Sequence, residues 1–319
     1  MAPRFGDVTL RGLMDPKKRE GLAGLAFAVA AFASWGLAPI YFKALKSVHP
    51  VQLVAHRVIW SVLLLVVLIQ FTRKWDAIRA AWADRKNRRV LALTAALISG
   101  NWLLFIWAAN SGQLLQSSLG YFINPLLNVL LGVVFLGEIL NRLQKLAVAI
   151  ASIGVLNLLA AHGTFPWIAL SLALSFGLYG LFRKKVPVDS TVGLFLETAL
   201  MTPFALIYLA YLGWTGDLAF GQGDTRVDLL LASSGVITAI PLLWFVAGAR
   251  RLKLATIGLV QYISPTGQFL LAVLLYGETF TRAHAVTFGL IWVSLAVYSL
   301  SAFWTKRSAP LSHTAPERG

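Results

Sequence analysis

The 319-residue chain contains no cysteine, so it has no disulfide and no thiolate to bind a metal or attack a substrate. That absence leaves the compartment open. Charge is scarce too: Asp, Glu, Lys and Arg together make up 13% of the residues. A soluble protein of this length needs more polar surface to stay dissolved. The phosphate-cradling loop G-x-x-x-x-G-K-S/T is missing, which argues against ATP-driven work by this chain alone. H-E-x-x-H is missing, and the five histidines are scattered, so no metal site is expected. No G-x-S occurs, which weakens a serine-protease reading. Gly221-Gln222-Gly223-Asp224 matches the G-x-G-D of intramembrane aspartyl proteases, but it lies in the polar 213–227 segment. No aspartate falls within the body of an apolar run to complete a dyad, so the motif reads as a turn. Neither a catalytic residue nor a cofactor is expected.

What the chain has in abundance is apolar surface. Hydrophobic residues make up 58%, and mean hydropathy is +0.72. At roughly 20 residues per membrane crossing, this length holds about ten crossings and little else. Apolar runs lie near 21–42, 50–71, 90–109, 115–136, 144–161, 165–182, 191–212, 228–249, 255–276 and 285–303. The expected fold is an all-α integral membrane protein of ten transmembrane helices, with the lipid bilayer as its principal partner. The polar segment before residue 21 is a tail, and the first apolar run is too long for the hydrophobic core of a signal peptide.

The net charge of +15 does not point to nucleic acid, because the basic residues are spread between apolar runs. They set orientation instead. With the N-terminus cytoplasmic, 23 of the 28 Lys and Arg fall on the cytoplasmic side. Four fall opposite, namely Lys43, Lys46, Arg226 and Arg282, and Arg57 alone lies deep in a run. That bias places both termini in the cytoplasm. In the basic 72–89 loop, Trp75, Ile78 and Trp82 sit at near-helical spacing. They suit either a short helix on the anionic inner surface or a solvated linker.

The sequence also repeats itself. A shift of 140 positions brings Leu119 onto Leu259, Ile123 onto Ile263, Pro125 onto Pro265, and Gly137-Glu138 onto Gly277-Glu278. A shift of 141 brings Ser34-Trp35-Gly36-Leu37 onto Ser175-Phe176-Gly177-Leu178. Each half then holds five helices, an odd number, so the second half starts from the opposite side of the membrane. The expectation is two inverted five-helix repeats, at 21–161 and 162–304, between an N-terminal tail (1–20) and a C-terminal tail (305–319). Such halves exchange conformations and open a midplane site to each side in turn.

Polar residues inside the runs mark the candidate substrate pathway. Tyr121, Asn124 and Asn128 share one helix face, and the shift of 140 maps them onto Gln261, Ser264 and Gln268. A polar stripe facing lipid is costly, so both stripes face the protein interior, either to line a pathway or to join helices by hydrogen bonds. Pro125 and Pro265 within them each remove a backbone bond and favour a locally opened helix. Arg57 and Glu197, two ionisable residues deep in the runs, are also 140 apart, and could pair with each other or serve substrate or coupling. Glu197 and His56 are candidates for proton coupling, and Asn101 is a further pocket candidate. Trp35, Trp60, Trp107 and Trp244 serve either to stack on a substrate or as packing and interfacial anchors. The matched positions of Glu138 and Glu278 suggest a structural turn.

The segments His56-Arg57-Val58-Ile59-Trp60-Ser61, Gly100-Asn101-Trp102-Leu103-Leu104-Phe105-Ile106-Trp107, Ser118-Leu119-Gly120-Tyr121-Phe122-Ile123-Asn124-Pro125 and Gln261-Tyr262-Ile263 carry a resemblance. The sequence resembles the RarD-type branch of the EamA family, in the drug/metabolite transporter superfamily, over about 20–303. That resemblance implies a bacterial inner-membrane permease of ten helices with both termini inside. The family label is associated with chloramphenicol, while the superfamily moves amino acids, sugars, nucleotides and drugs. The leading expectation is a secondary transporter, exporting small polar or amphipathic molecules by alternating access, coupled to protons or to a counter-substrate. A non-transporting membrane receptor or assembly factor, and then an intramembrane enzyme, are the alternatives. Reporter fusions at Lys306 and within 213–227 are expected to read opposite sides of the membrane. The same side for both would remove the ten-span arrangement.

Overall fold

The computed structural model describes residues 16–137, 139–162, 165–184, 186–249, 251–252 and 260–307. Among these residues the chain is helical throughout, with no strand. The helices are α1 (Pro16–Ala44), α2 (Pro50–Thr72), α3 (Trp75–Ala83), α4 (Arg85–Asn110), α5 (Leu114–Leu136), α6 (Arg142–His162), α7 (Trp167–Lys184), α8 (Ser190–Thr215), α9 (Thr225–Ala249), α10 (Ile263–Leu270) and α11 (Arg282–Arg307). A π-helical turn, Leu271–Leu275, extends α10.

Six of these helices, α1, α2, α4, α5, α8 and α9, are long and apolar enough to cross a membrane. Trp167–Arg183, Ile263–Leu275 and Arg282–Tyr298 are shorter apolar helices. Large apolar side chains stand exposed on the outside, among them Phe204, Ile207 and Trp214 on α8 and Leu63 and Val67 on α2. Water would penalise such a surface, whereas lipid does not.

Local signals set the boundaries. Pro50 opens α2 at a position where its missing N–H costs nothing. Asp84 caps α4 by accepting from the amides of Lys86 and Asn87, so this helix starts in the basic loop, earlier than the expected residue 90. Asp189 caps α8 through Thr191 and Val192. In the G-x-G-D segment, Asp224 accepts from Arg226 and Val227 and starts α9, behind Gly221 and Gly223 at positive φ. That segment is a capped turn. Gly137 and Gly277, at φ 66° and 63°, end their helices in the same left-handed conformation.

The helix starts follow the repeat. Pro50 and Ser190, Arg85 and Thr225, and Arg142 and Arg282 are each 140 positions apart. The packing follows it as well. α1 packs on α9 as α7 packs on α4, and α1 on α10 as α7 on α5. Three pairs meet their own counterparts: α2 with α8, α5 with α10, and α6 with α11.

Small residues allow the close crossings. A methyl group on Gly235 of α9 would lie 2.4 Å from the Trp60 carbonyl oxygen of α2. One on Gly120 of α5 would lie 2.6 Å from the Ala169 carbonyl oxygen of α7. Hydrogen bonds reinforce other crossings. Asn157 of α6 donates to the Ala283 carbonyl and to Thr287 of α11, while Thr287 donates to the Gly154 carbonyl.

The 72–89 segment contains a helix rather than a linker. Ile78 and Ala81 of α3 are buried against Ile69, Leu91, Val192 and Leu196. Lys74 bonds Asp189 at 2.8 Å, tying the end of α2 to the start of α8. Partial burial alone would raise the Asp189 carboxyl, but the Lys74 ammonium and two backbone amides hold it below its ordinary value.

Gly235→Ala and Gly120→Ala are expected to cost about 1–3 kcal/mol each, because the clash is with backbone and the helices must separate. Gly100→Ala, with nothing within 4 Å of the added methyl, is the control. Thermal unfolding in detergent that fails to separate the first two from the third would refute these crossings.

Candidate functional site

The two ionisable residues deep in the helices lie at matched depths. Arg57 is seven residues into α2 and Glu197 seven residues into α8, so each sits about 10 Å along its helix. Their surroundings differ sharply.

Glu197 is buried and fully engaged. Thr94 of α4 donates to Oε1 at 2.7 Å, and Tyr179 of α7 donates to Oε2 at 3.2 Å. The Arg183 guanidinium lies 3.4 Å from Oε1, so the carboxylate pairs with Arg183 and not with Arg57. Gly193 makes this possible, since a methyl group there would collide with the Arg183 guanidinium.

Arg57 is half-buried among α1, α2, α4 and α9. Its Nε donates to Thr238 Oγ1 of α9 at 2.7 Å, and Thr238 passes the bond on to the Ser234 carbonyl. The guanidinium lies 4.1 Å from the Trp102 ring centre and 5.8 Å from that of Phe42. Trp102 and Glu197 also border one narrow gap between α2, α4 and α8, along with Val58, Ser99 and Met201.

The polar stripes are placed differently from the two charges. Asn124 donates to the Ala173 carbonyl of α7, and Asn128 donates to Asn124 Oδ1. Asn101 donates to the Leu172 carbonyl and to Ser175 of α7, and accepts from Tyr121. On the other side, Gln268 donates to the Trp35 carbonyl of α1 and to Ser264. Its Oε1 is buried without a partner. The α5 stripe therefore bonds to α7, and the α10 stripe to α1. Gln261 is half-buried in the turn before α10, so the chain breaks just ahead of Pro265, whereas α5 runs on through Pro125. His56 is buried, with Nε2 unpartnered and its ring 5.4 Å from that of Phe220.

Glu278 holds together two distant segments: its two carboxylate oxygens accept from the amides of Leu114 and Leu115 and cap the start of α5. Glu138 lies outside the described residues. Thr94, Trp102, Tyr179, Arg183 and Thr238 escaped the sequence reading. Threonine and tyrosine carry no charge to mark them, and Arg183 counts from sequence as a loop cation.

Residues 22–160 match the EamA-like transporter family. A protein called an uncharacterized transporter in Vibrio cholerae is 48% identical, over 90% of this chain and 95% of its own length. Protein RarD of Escherichia coli is 46% identical, over 92% of this chain and 99% of its own. The chain is a RarD-type member of the EamA family. Another relative, the chloramphenicol-sensitive protein RarD of Pseudomonas aeruginosa, is 37% identical over 85% of this chain and 92% of its own. One crystal structure matches with a TM-score of 0.56 at 18% identity, covering 90% of this chain and 99% of that one. At that identity the likeness concerns the fold alone. As an EamA-family protein with several long apolar helices, the chain is a multi-pass membrane protein.

Glu197→Ala is expected to destabilise the protein by about 3–5 kcal/mol, because it strands the buried Arg183 charge. The double change with Arg183→Ala should cost less than the single one. Unfolding in detergent measures both, and additive losses would disprove the pairing.

Proposed function

We propose that the chain is a secondary transporter that exports small polar or amphipathic metabolites or drugs by alternating access. Its two five-helix halves, 21–161 and 162–304, have opposite orientation, and both termini are in the cytoplasm of a bacterial cell. The observation that carries this reading is the exchange relation between the halves. Three pairs of helices begin 140 residues apart, and the contacts α1–α9 and α1–α10 recur as α7–α4 and α7–α5. Two such halves of opposite orientation rock between equivalent states, and a site on their axis meets each face in turn.

Under this reading, α2 and α8 meet on the axis, and Arg57 and Glu197 stand on opposite sides of the midplane. The Glu197–Arg183 pair joins α7 to α8 near the cytoplasmic ends of those helices. It closes that side in one state and opens in the other, with protonation of Glu197 or binding of a counter-substrate as the driving event. His56 is the second candidate for a proton. Asn101, Tyr121, Asn124, Asn128, Gln261, Ser264 and Gln268 hold the moving helices together and offer their hydrogen bonds to the substrate as the halves shift. Transport, rather than chemistry on the substrate, fits the transporter names carried by relatives.

Counterflow into proteoliposomes tests the reading, with labelled chloramphenicol, amino acids and aromatic acids as tracers. Uptake should exceed that of protein-free vesicles for at least one tracer, and should fall when Glu197 is replaced by Gln. Uptake that never rises above the vesicle background would sink the proposal.

A further inference from the structure

Arg57 offers five N–H donors in a fixed plane. One donor is committed: Nε holds Thr238. Trp102 covers a face of the guanidinium at 4.1 Å, which orients the plane but accepts none of its in-plane hydrogen bonds. Among the described residues no carboxylate pairs with Arg57; the ion pairs there involve Lys74, Arg79 and Arg183. Nη1 and Nη2, the other edge of the fork, are therefore held in position with no acceptor on them among the described residues.

The repeat sharpens the contrast. Glu197, at the matching position, has a counter-ion in Arg183. The residue 141 positions before Arg183, by the offset that aligns Ser34 with Ser175, is Phe42. Phe42 does lie beside Arg57, at 5.8 Å. One half thus gives its buried charge an ionic partner, and the other gives its charge an aromatic ring. A cation left this way inside a membrane protein is costly unless something else completes it. Two other side chains of α2, on different faces of the helix, also hold unused donors. Trp60 Nε1 and Gln52 Nε2 are both buried without an acceptor.

We infer that the transported substrate carries an anionic group, a carboxylate in its simplest form, that docks on the free edge of the Arg57 guanidinium. This rests on the transport reading above and narrows its substrate class. Two parallel N–H···O bonds from the guanidinium fork match a carboxylate, and Trp102 behind the fork keeps it aimed. A hydrophobic remainder would lie against Trp102 and Phe42. A cationic substrate is disfavoured at this position by repulsion from Arg57.

The test uses three matched probe sets: benzoate, phenylacetate and indole-3-acetate; their primary amides; and benzylamine, phenethylamine and tryptamine. Binding to the purified protein is measured by calorimetry, and exchange by counterflow with protein-free vesicles as background. Acids are expected to bind at least tenfold more tightly than their amides. Arg57→Gln should lower acid affinity roughly ten- to hundredfold and leave the amides unchanged. Arg57→Lys, which keeps the charge and loses the fork, should fall between. If Arg57→Gln fails to fold, the acid-over-amide preference of the unaltered protein still decides. Amides or amines that bind as well as the acids, or a folded Arg57→Gln with unchanged acid affinity, would overturn the inference and leave transport standing. No exchange of any acid probe, while chloramphenicol or an amide is exchanged, would likewise overturn the inference and leave transport standing; no exchange of any tracer or probe would overturn both.

Discussion

A polar group buried in a membrane protein has no bulk water to turn to, and the internal arrangement of this chain depends on that constraint. The asparagines of α4 and α5 illustrate it. Asn101 and Asn124 each spend their amide N–H on a backbone carbonyl of α7, at Leu172 and Ala173. Those carbonyls already serve the α7 helix, so the side chains use spare acceptor capacity and leave the helix intact. Each bond is worth about 0.6–2 kcal/mol in a membrane protein, enough to set a register yet small enough to be remade during a conformational change. The stripes therefore fix α5 on α7 and α10 on α1 without locking the bundle.

The same constraint is met unequally at the two charges. An ionisable side chain stands seven residues into α2 and again into α8, with opposite sign. Glu197 has collected a hydroxyl, a phenol and a guanidinium, and is closed off. Arg57 has collected a hydroxyl and two aromatic faces, which orient a cation without neutralising it. An exact repeat would make both sites alike. With Arg183 beside Glu197 and Phe42 beside Arg57, one charge is a closed ion pair and the other an open one.

Backbone proximity completes the picture. At Gly235 and Gly120 the helices approach more closely than a methyl group permits, so dispersion acts over long stretches of main chain. Two departures from regular α-helix, the turn ahead of Pro265 and the π-helical turn after Leu270, flank the buried Gln268. Such breaks persist inside a membrane protein only where neighbouring protein satisfies the freed backbone groups. Here Ser118 of α5 donates to the Pro265 carbonyl, which ties this segment to α5.

By itself the sequence determined the apolar runs, the 140-residue correspondence, the two charges and the two polar stripes. These are properties of composition and spacing, and the helix is a local structure, so they are legible one segment at a time. The turn at Gly221–Asp224 was legible for the same reason. Tertiary structure alone decided who meets whom. Arg183 looked like one of three cytoplasmic cations until the fold of α7 against α8 brought it 3.4 Å from Glu197. Trp102 was one tryptophan among 11 until α4 packed its ring against Arg57. The stripes read as facing inward, but only packing revealed that one faces α7 and the other α1. Periodicity gives the direction of a side chain around its own axis. It holds no information about which helix stands in that direction, because that choice rests on contacts between different helices, such as Arg183 with Glu197 and Gln268 with Trp35.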